Sequence, residues 1–424
     1  MLSVYWRRRL AVGVGLLAAA TAIGVGAYLL ADSLGGESEQ PAPAPKIVVR
    51  KQQPQAAEEV GFPAFATKNT TRVAGADAIA DAAGIALAVY PSAGGVKGPG
   101  AVSVVEASDW TSGIAAASLT AAPVGAPILL TGTDEVPDLT ADAVDALAPA
   151  GSAATGGKQV FQIGAATVPP GLRAQKIAGS SPATIASRID RLRQELVRRE
   201  PQHVLLVSSQ KASFAMPAAG WAARSGDPVL FVGRNDVPRP TLAALRRHRG
   251  VPVYILGPPS AISDRVLKRT QGVASSVKRI GTEGDDPVET AIAFARYVDG
   301  SFGWNINDPG HGLVIASGGR PMDAAAAAPL SASGDWGPLL ITDDQTQVPP
   351  ALHGFLLDIK PGYIDDPTRA VYNHVWLIGD QDAISVGFQA QVDDLAEVAP
   401  VRSAAQGPSP GPAPGTPERE RHKP

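Results

Sequence analysis

Gly156-Gly157-Lys158 is the nearest approach in this chain to a phosphate-binding loop. That loop needs a glycine five residues before the Gly-Lys pair and a helix after it, because turn and helix N–H groups hold the phosphates. Ser152 stands at the first place, and Val160-Phe161 opens a strand pattern at the second, so no nucleotide site is expected. His203, His248, His311, His353, His374 and His422 show no metal spacing such as His-Glu-x-x-His. The one Gly-x-Ser-x-Gly spelling, Gly407 to Gly411, lies in the Pro/Gly-rich tail without the strand and helix patterns that flank a nucleophile elbow. Without cysteine, disulfides, thiolate metal sites and thiol nucleophiles are excluded. Asp323 and Asp343-Asp344 stand near predicted strand ends, where ligands of α/β sheets bind. Cap and turn duties account for the same carboxylates. The chain reads as non-catalytic, with no cofactor and no metal.

The elements that would position such residues recur three times. GAPILLTGTDEVPDLT at Gly125, GDPVLFVGRNDVPRPT at Gly226 and WGPLLITDDQTQVPPAL at Trp336 share one plan. Each has a proline before an apolar run (Pro127, Pro228, Pro338) and a Val-Pro about ten residues later (Pro137, Pro238, Pro349). A short apolar strand ending in glycine follows (Gly164, Gly257, Gly379), and a basic residue with small neighbours opens each unit (Arg72, Lys176, Arg279). Short apolar strands between helices imply a parallel sheet covered on both faces. In one unit Asp286, Pro287 and Glu289 mark a helix start, with Val288, Ile292, Ala295 and Val298 on one face. In another, Pro182 opens a helix with an Ile185, Ile189, Leu192 and Leu196 stripe. The expected architecture is three tandem small α/β, Rossmann-like units over 69–172, 173–275 and 276–398. Their period of roughly 100 residues makes each a small domain rather than a solenoid turn.

Arg7-Arg8-Arg9 precede an uncharged run from Leu10 to Ala31, long enough for a bilayer, which needs about 20 residues. The arginines favour the cytoplasmic side. Hence the expectation of a cytoplasmic tail (1–9), a signal-anchor helix (10–31), a Pro-rich linker (32–68) and an exported body. A cleaved signal peptide is the alternative. The Pro/Gly-rich stretch 399–424 is expected to be disordered.

RIGTEGDDPVETAIAFARYV, VIASGGRPMDAAAAAPLSASGDWGPLLIT and VWLIGDQDAIS resemble the cell wall-binding repeat type 2 family, as do RVAGADAIADAAGIALA and GAPILLT in the first unit. The second unit is the most diverged, keeping KIAG, GDPVLFV and VYILG. The resemblance runs from about Arg72 to Val398. It implies modules in threes, packed around a pseudo-threefold axis, that hold surface proteins on anionic wall polymers without catalysis. It also implies that the unit-starting Arg72, Lys176 and Arg279 and the Pro-apolar segments belong to the binding pattern. The acidic residue that often opens the Ala-rich helix stands as Asp323, with Asp109 in the first unit and Phe214 in the second.

The net charge of −3 conceals an asymmetry. Arg173–Arg279 holds about 19 Lys and Arg against 6 Asp and Glu, whereas Ile280–Val398 holds about 4 against 18 and Arg72–Leu172 about 3 against 9. Arg188, Arg191 and Arg198 are expected to face away from the apolar stripe of their helix, and Arg246, Arg247 and Arg249 form a second basic run. Arginine forks suit the oxygens of an anionic polymer. Packing between acidic neighbours explains the same charge. The expected partners are an anionic wall polysaccharide, the membrane through 10–31, and an envelope protein under a scaffold reading. Nucleic acid is not among them, because the body would lie outside the cell. A peptidoglycan hydrolase has no room beyond the repeats.

Overall fold

The computed structural model of the protein describes residues 64–90, 98–333 and 337–401. The expected tail and anchor (1–31), the linker up to residue 63 and the segment 402–424 lie outside the described residues.

The first stretch contains β1 (Ala64–Ala66), β2 (Thr70–Val73), α1 (Ala78–Val89), β3 (Val102–Glu106), α2 (Trp110–Thr120), β4 (Ile128–Thr131), α3 (Asp138–Leu147) and β5 (Val160–Ile163). The second contains β6 (Ala174–Ile177), α4 (Pro182–Val197), β7 (Val204–Ser208), α5 (Ala212–Ala215), α6 (Pro217–Ser225), β8 (Val229–Val232), α7 (Arg239–Arg247), β9 (Val253–Leu256) and α8 (Asp264–Gln271). The third contains β10 (Val277–Ile280), α9 (Pro287–Arg296), β11 (Gly312–Ser317), α10 (Met322–Ser333), β12 (Leu339–Thr342), α11 (Pro350–Asp358), β13 (Gly362–Tyr363), β14 (His374–Ile378), α12 (Val386–Ala396) and β15 (Ala399–Pro400). β1 falls inside the stretch expected as linker, and β15 inside the expected tail. Their backbone groups find partners in β2 and β13 respectively.

Local chemistry sets the element boundaries. The Asp77, Ser181 and Asp286 side chains accept N–H bonds in the first turns of α1, α4 and α9, and Pro182 and Pro287 occupy the first turn of the latter two. Pro137, Pro238 and Pro349 immediately precede α3, α7 and α11, with φ of −58°, −58° and −54°. The carbonyls of Pro127, Pro228 and Pro338 accept from Ser103, Leu205 and Val314 N–H at 2.8, 3.0 and 3.1 Å. A proline there gives up only a donor that the edge strand does not need.

The three main sheets share one order: β4-β3-β5-β6, β8-β7-β9-β10 and β12-β11-β14-β2, with β1 added antiparallel outside β2. All other pairs in them are parallel. Each sheet therefore takes its last strand from the start of the next sequence unit. The third takes β2 from the N-terminal end of the described body, which closes a ring. Gly164, Gly257 and Gly379 donate their N–H to the carbonyls of Ile177, Ile280 and Val73 at 2.9, 2.8 and 2.8 Å, the same bond three times. All three glycines have positive φ (67°, 116° and 102°), where a side chain is strained. The repeat boundaries 69–172, 173–275 and 276–398 thus run one strand out of step with the sheets.

The Ala-rich helices α2, α6 and α10 pack on one another at the centre. Small side chains allow that approach: a Cβ on Gly113 of α2 would sit 2.8 Å from the Cβ of Ala325 on α10. The outer helices α1, α4 and α9 cover β4, β8 and β12 and pack on α3, α7 and α11.

Candidate functional site

The opening basic residues have unequal fates. Arg72 is only 2% exposed. Its Nε donates to Gln389 Oε1 (2.8 Å), Nη1 to the carbonyls of Gly379, Asp380 and Ile384 (2.9, 2.9 and 2.6 Å), and Nη2 to that of Ser385 (3.2 Å). Burial pushes its pKa down to about 10, against the pull of Asp380 and Asp81. Arg72 is therefore corrected from polymer contact to internal clamp: its donors are consumed where the ring closes. Arg279 repeats the contact in part, donating to the Gly257 carbonyl (2.8 Å) and pairing with Asp264 (3.1 Å). Lys176 is exposed.

Arg188, Arg191 and Arg198 on or just past α4 are exposed, as their spacing predicts, and so are Arg246 and Arg249 at the end of α7. Arg188 also donates to the Ala178 carbonyl. Because α4 and α7 pack together, both basic runs lie on adjoining outer helices of the second unit. Arg247 departs from the set, being half-buried and paired with Asp190 at 2.7 Å. Arg193, on α4, is withdrawn too. It donates to the carbonyls of Gly226 (2.8 Å), Ala121 (3.3 Å) and Ala122 (3.1 Å), where the C-terminal ends of α6 and α2 favour a cation.

Two histidines are locked into networks. His203 Nδ1 meets Asp227 Oδ2 (3.0 Å) and Nε2 meets Ser301 Oγ (3.2 Å), while Trp221 Nε1 donates to the same Asp227 oxygen (2.9 Å). The ring is boxed by Trp221, Tyr254 and Phe302. The series ties the turn at Ser301 to the second unit. His248 is buried, with Nδ1 on Glu200 (3.0 Å) and Nε2 on Asp190 (2.9 Å). Both nitrogens face carboxylates, so both donate and the ring is an imidazolium. Burial opposes that charge, but Asp190 and then Glu200 outweigh it and the pKa is raised. The stabilisation is complete below the unfolded value near 6.5 and is lost as pH rises through the raised folded value. Urea unfolding should show the stability difference between wild type and His248→Gln shrinking from pH 6 to pH 9. A difference independent of pH would contradict the imidazolium.

The cleft between the first and third units carries the most unusual polar chemistry. Ala76, Asp77, Ala107, Trp110, Arg320 and Met322 are among its lining residues. At its floor Arg320 Nη2 meets Asp81 Oδ2 (2.7 Å), Nε meets Asp323 Oδ2 (2.8 Å), and Nη1 lies 3.7 Å from Asp380 Oδ1. Asp81 Oδ1 also accepts the Gly75 N–H at 2.8 Å. The Asp81 and Asp323 side chains are 0% exposed. The other units act as internal controls. Counted from the helix cap, Asp81 corresponds to Ile185 and Thr290. Counted from the last residue of the preceding strand, Asp323 corresponds to Ser112 and Phe214, and Arg320 to Asp109 and Lys211. Neither of the two corresponding sets holds a buried carboxylate. Burying charge costs several kcal/mol per ion unless well paired, and such expense marks candidate sites. Asp323 was visible in the sequence as the residue opening the Ala-rich helix. Asp81 and Arg320 lie 239 positions apart and carried no signal as a pair. Among the described residues, no group of His, Asp and Glu has metal-holding geometry, and no helix is long and apolar enough to cross a membrane.

Residues 279–389 match the family model described as Cell wall binding domain 2 (CWB2). The structure is similar to that of Cwp6 from Clostridium difficile, with a TM-score of 0.61 and 19% identity over 77% of this chain and 47% of that one. It is likewise similar to Cwp8 from Clostridium difficile, with a TM-score of 0.58 and 17% identity over 77% of this chain and 52% of that one. The chain thus spans about half the length of these solved chains, and at such identities the likeness is one of α/β fold. No curated protein matches it in sequence. The segment from Arg279 to Gln389, which holds the Arg320–Asp323 floor of the cleft, is the stretch that matches the cell wall binding domain 2 family.

Proposed function

We propose that this protein is a non-catalytic cell-surface protein that binds the cell wall non-covalently through an anionic wall polymer, tethered to the membrane by residues 10–31. The match of 279–389 to a cell wall binding domain carries the reading. The exposed arginines of α4 and α7 supply the cationic face such a polymer needs, and the first–third cleft supplies a concave site with a guanidinium at its floor. Tethering raises the effective concentration of weak sites, so modest affinity per site suffices.

Sedimentation with purified wall tests this. Binding should fall when the anionic polymers are removed by acid extraction; equal binding to stripped wall, or none to either, rejects the reading. Arg188→Glu/Arg191→Glu should weaken binding by about tenfold at low salt, ~1.4 kcal/mol. It should also flatten the salt dependence, since exposed charges act within a Debye length of about 8–10 Å. An unchanged salt profile would remove α4 from the interface.

A scaffold for another envelope protein is the second reading. The exposed Ile364, Val371, Tyr372 and Val401 around the β13–β15 pair favour it. Crosslinking in native membranes should then capture a stoichiometric protein partner; glycan adducts alone reject it.

A further inference from the structure

The first–third cleft has a second property that its two counterparts lack: the charge at its floor depends on protons held between two buried carboxyls. Asp81 on α1 and Asp323 on α10 face one guanidinium, that of Arg320, from opposite units. Two carboxylates sharing a single cation in a dry site cannot both ionise without strong mutual repulsion. The other charges around the pair are few. Asp77 caps α1, Asp380 follows β14, and Arg72 lies behind, its donors held by carbonyls and Gln389. Glu106 and Asp109 on the facing loop are engaged by Ser108 and by Ser112 and Thr111. Arg72 and Arg320 balance Asp77 and Asp380. Glu106 and Asp109 keep their negative charge throughout, and ionisation of Asp81 and Asp323 adds up to two more.

We propose that proton loss from the Asp81–Asp323 pair closes this cleft to anionic ligands, so that the protein takes up anionic polymer there in mildly acid surroundings and releases it in alkaline ones. The proposal rests on the wall-binding reading and adds its regulation. With the pair protonated, Arg320 keeps only Asp380, 3.7 Å away, as a charged neighbour. The 23% of its side chain that remains exposed can then donate to a phosphate or carboxylate of the polymer, while Trp110 offers an apolar face on the same wall. With the pair ionised, one guanidinium faces two carboxylates, so Asp81, Asp323 and Arg320 together carry a net negative charge that repels an incoming anion. Titration falls in a useful range. Burial, helped by Asp323 and opposed by Arg320, pushes Asp81 up to about 8. Burial, opposed by Arg320, pushes Asp323 up to about 7. Ile185 and Ser112 hold the corresponding places in the second and first units, and Thr290 and Phe214 those in the third and second, so neither of these pairs can titrate in this way.

The test is sedimentation of the full chain with purified wall carrying its anionic polymers, at pH 5.5 and pH 8.5 and fixed ionic strength. Wild type should bind at least about tenfold more tightly at pH 5.5. The readout for Asp81→Asn/Asp323→Asn is the ratio between the two pH values, which should fall to within about twofold of one. Since His248 and other groups also titrate, a double variant that keeps the wild-type ratio overturns the proposal, as does a wild type that binds equally at both pH values. Absence of binding at either pH overturns the wall-binding reading instead. Should the double variant fail to fold, carboxyl carbon chemical shifts of the wild type decide: Asp81 and Asp323 midpoints near neutrality support the gate, and midpoints below pH 5 overturn it.

Discussion

Arg72→Met should lower the unfolding free energy by about 3–5 kcal/mol, the usual cost of removing one partner from a buried charged network. The methionine fills most of the space, so the loss comes from five acceptors left without their donor. Three of them, Gln389 Oε1 and the carbonyls of Gly379 and Ile384, are buried, while those of Asp380 and Ser385 keep the backbone N–H groups of Ile384 and Gln389; each buried orphan costs about 1–3 kcal/mol, not additively. Arg72→Lys should recover only part, since one ammonium cannot reach acceptors spread from Gly379 to Gln389. Urea unfolding of residues 64–401 measures this directly. A change below about 1 kcal/mol would mean that Arg72 is dispensable for closure. The contrast with Arg188→Glu/Arg191→Glu is diagnostic: those exposed positions should alter wall binding and leave stability within about 0.5 kcal/mol.

Starting the chain at Gly75 should be more damaging still. That deletion removes β1 and β2, uncovers the edge of β14 from Val375 to Ile378, and takes away Arg72 together with the Thr67 and Asn69 bonds to Asp393. A loss above about 5 kcal/mol is expected, enough to unfold a third sheet of ordinary stability. Limited proteolysis should cut first between residues 312 and 401 and spare the first two sheets, whose strands all remain. A synthetic peptide covering 64–76, added in excess, should restore protection by mass action. If the truncated chain resists protease across 312–401 as well as the intact one, β2 contributes nothing to the third sheet.

Much of this architecture was legible locally. Asp286-Pro287, Ser181-Pro182 and the Val-Pro dipeptides mark helix starts through backbone chemistry that needs no tertiary information. The Pro-apolar runs and strands ending in glycine gave the parallel α/β class, and Arg188, Arg191 and Arg198 lie on the exposed side of α4 that their spacing indicated. Pairing between units was not legible. Val73, Ile177 and Ile280 look like the first strand of their own units, and nothing in a four-residue strand says which sheet will accept it. For the same reason Arg72 passed for a surface cation. Arg72 and Lys176 occupy matching places, and only the neighbouring carbonyls decide that one is buried while the other is exposed. The Asp81–Arg320 contact was hidden by distance along the chain, although an aspartate where Ile185 and Thr290 stand in the sister units was an available clue.

The lending of strands around the ring also bears on how such a protein can change over generations. A segment cut at the repeat boundaries leaves with a strand that belongs to its neighbour and without the one that completes its own sheet. Gain or loss of a single copy by recombination would therefore break two sheets at once, while the surface of any one copy stays free to drift. The three sheets hold together only as a ring, while the outer surface of one unit can be rich in arginine and that of another in aspartate.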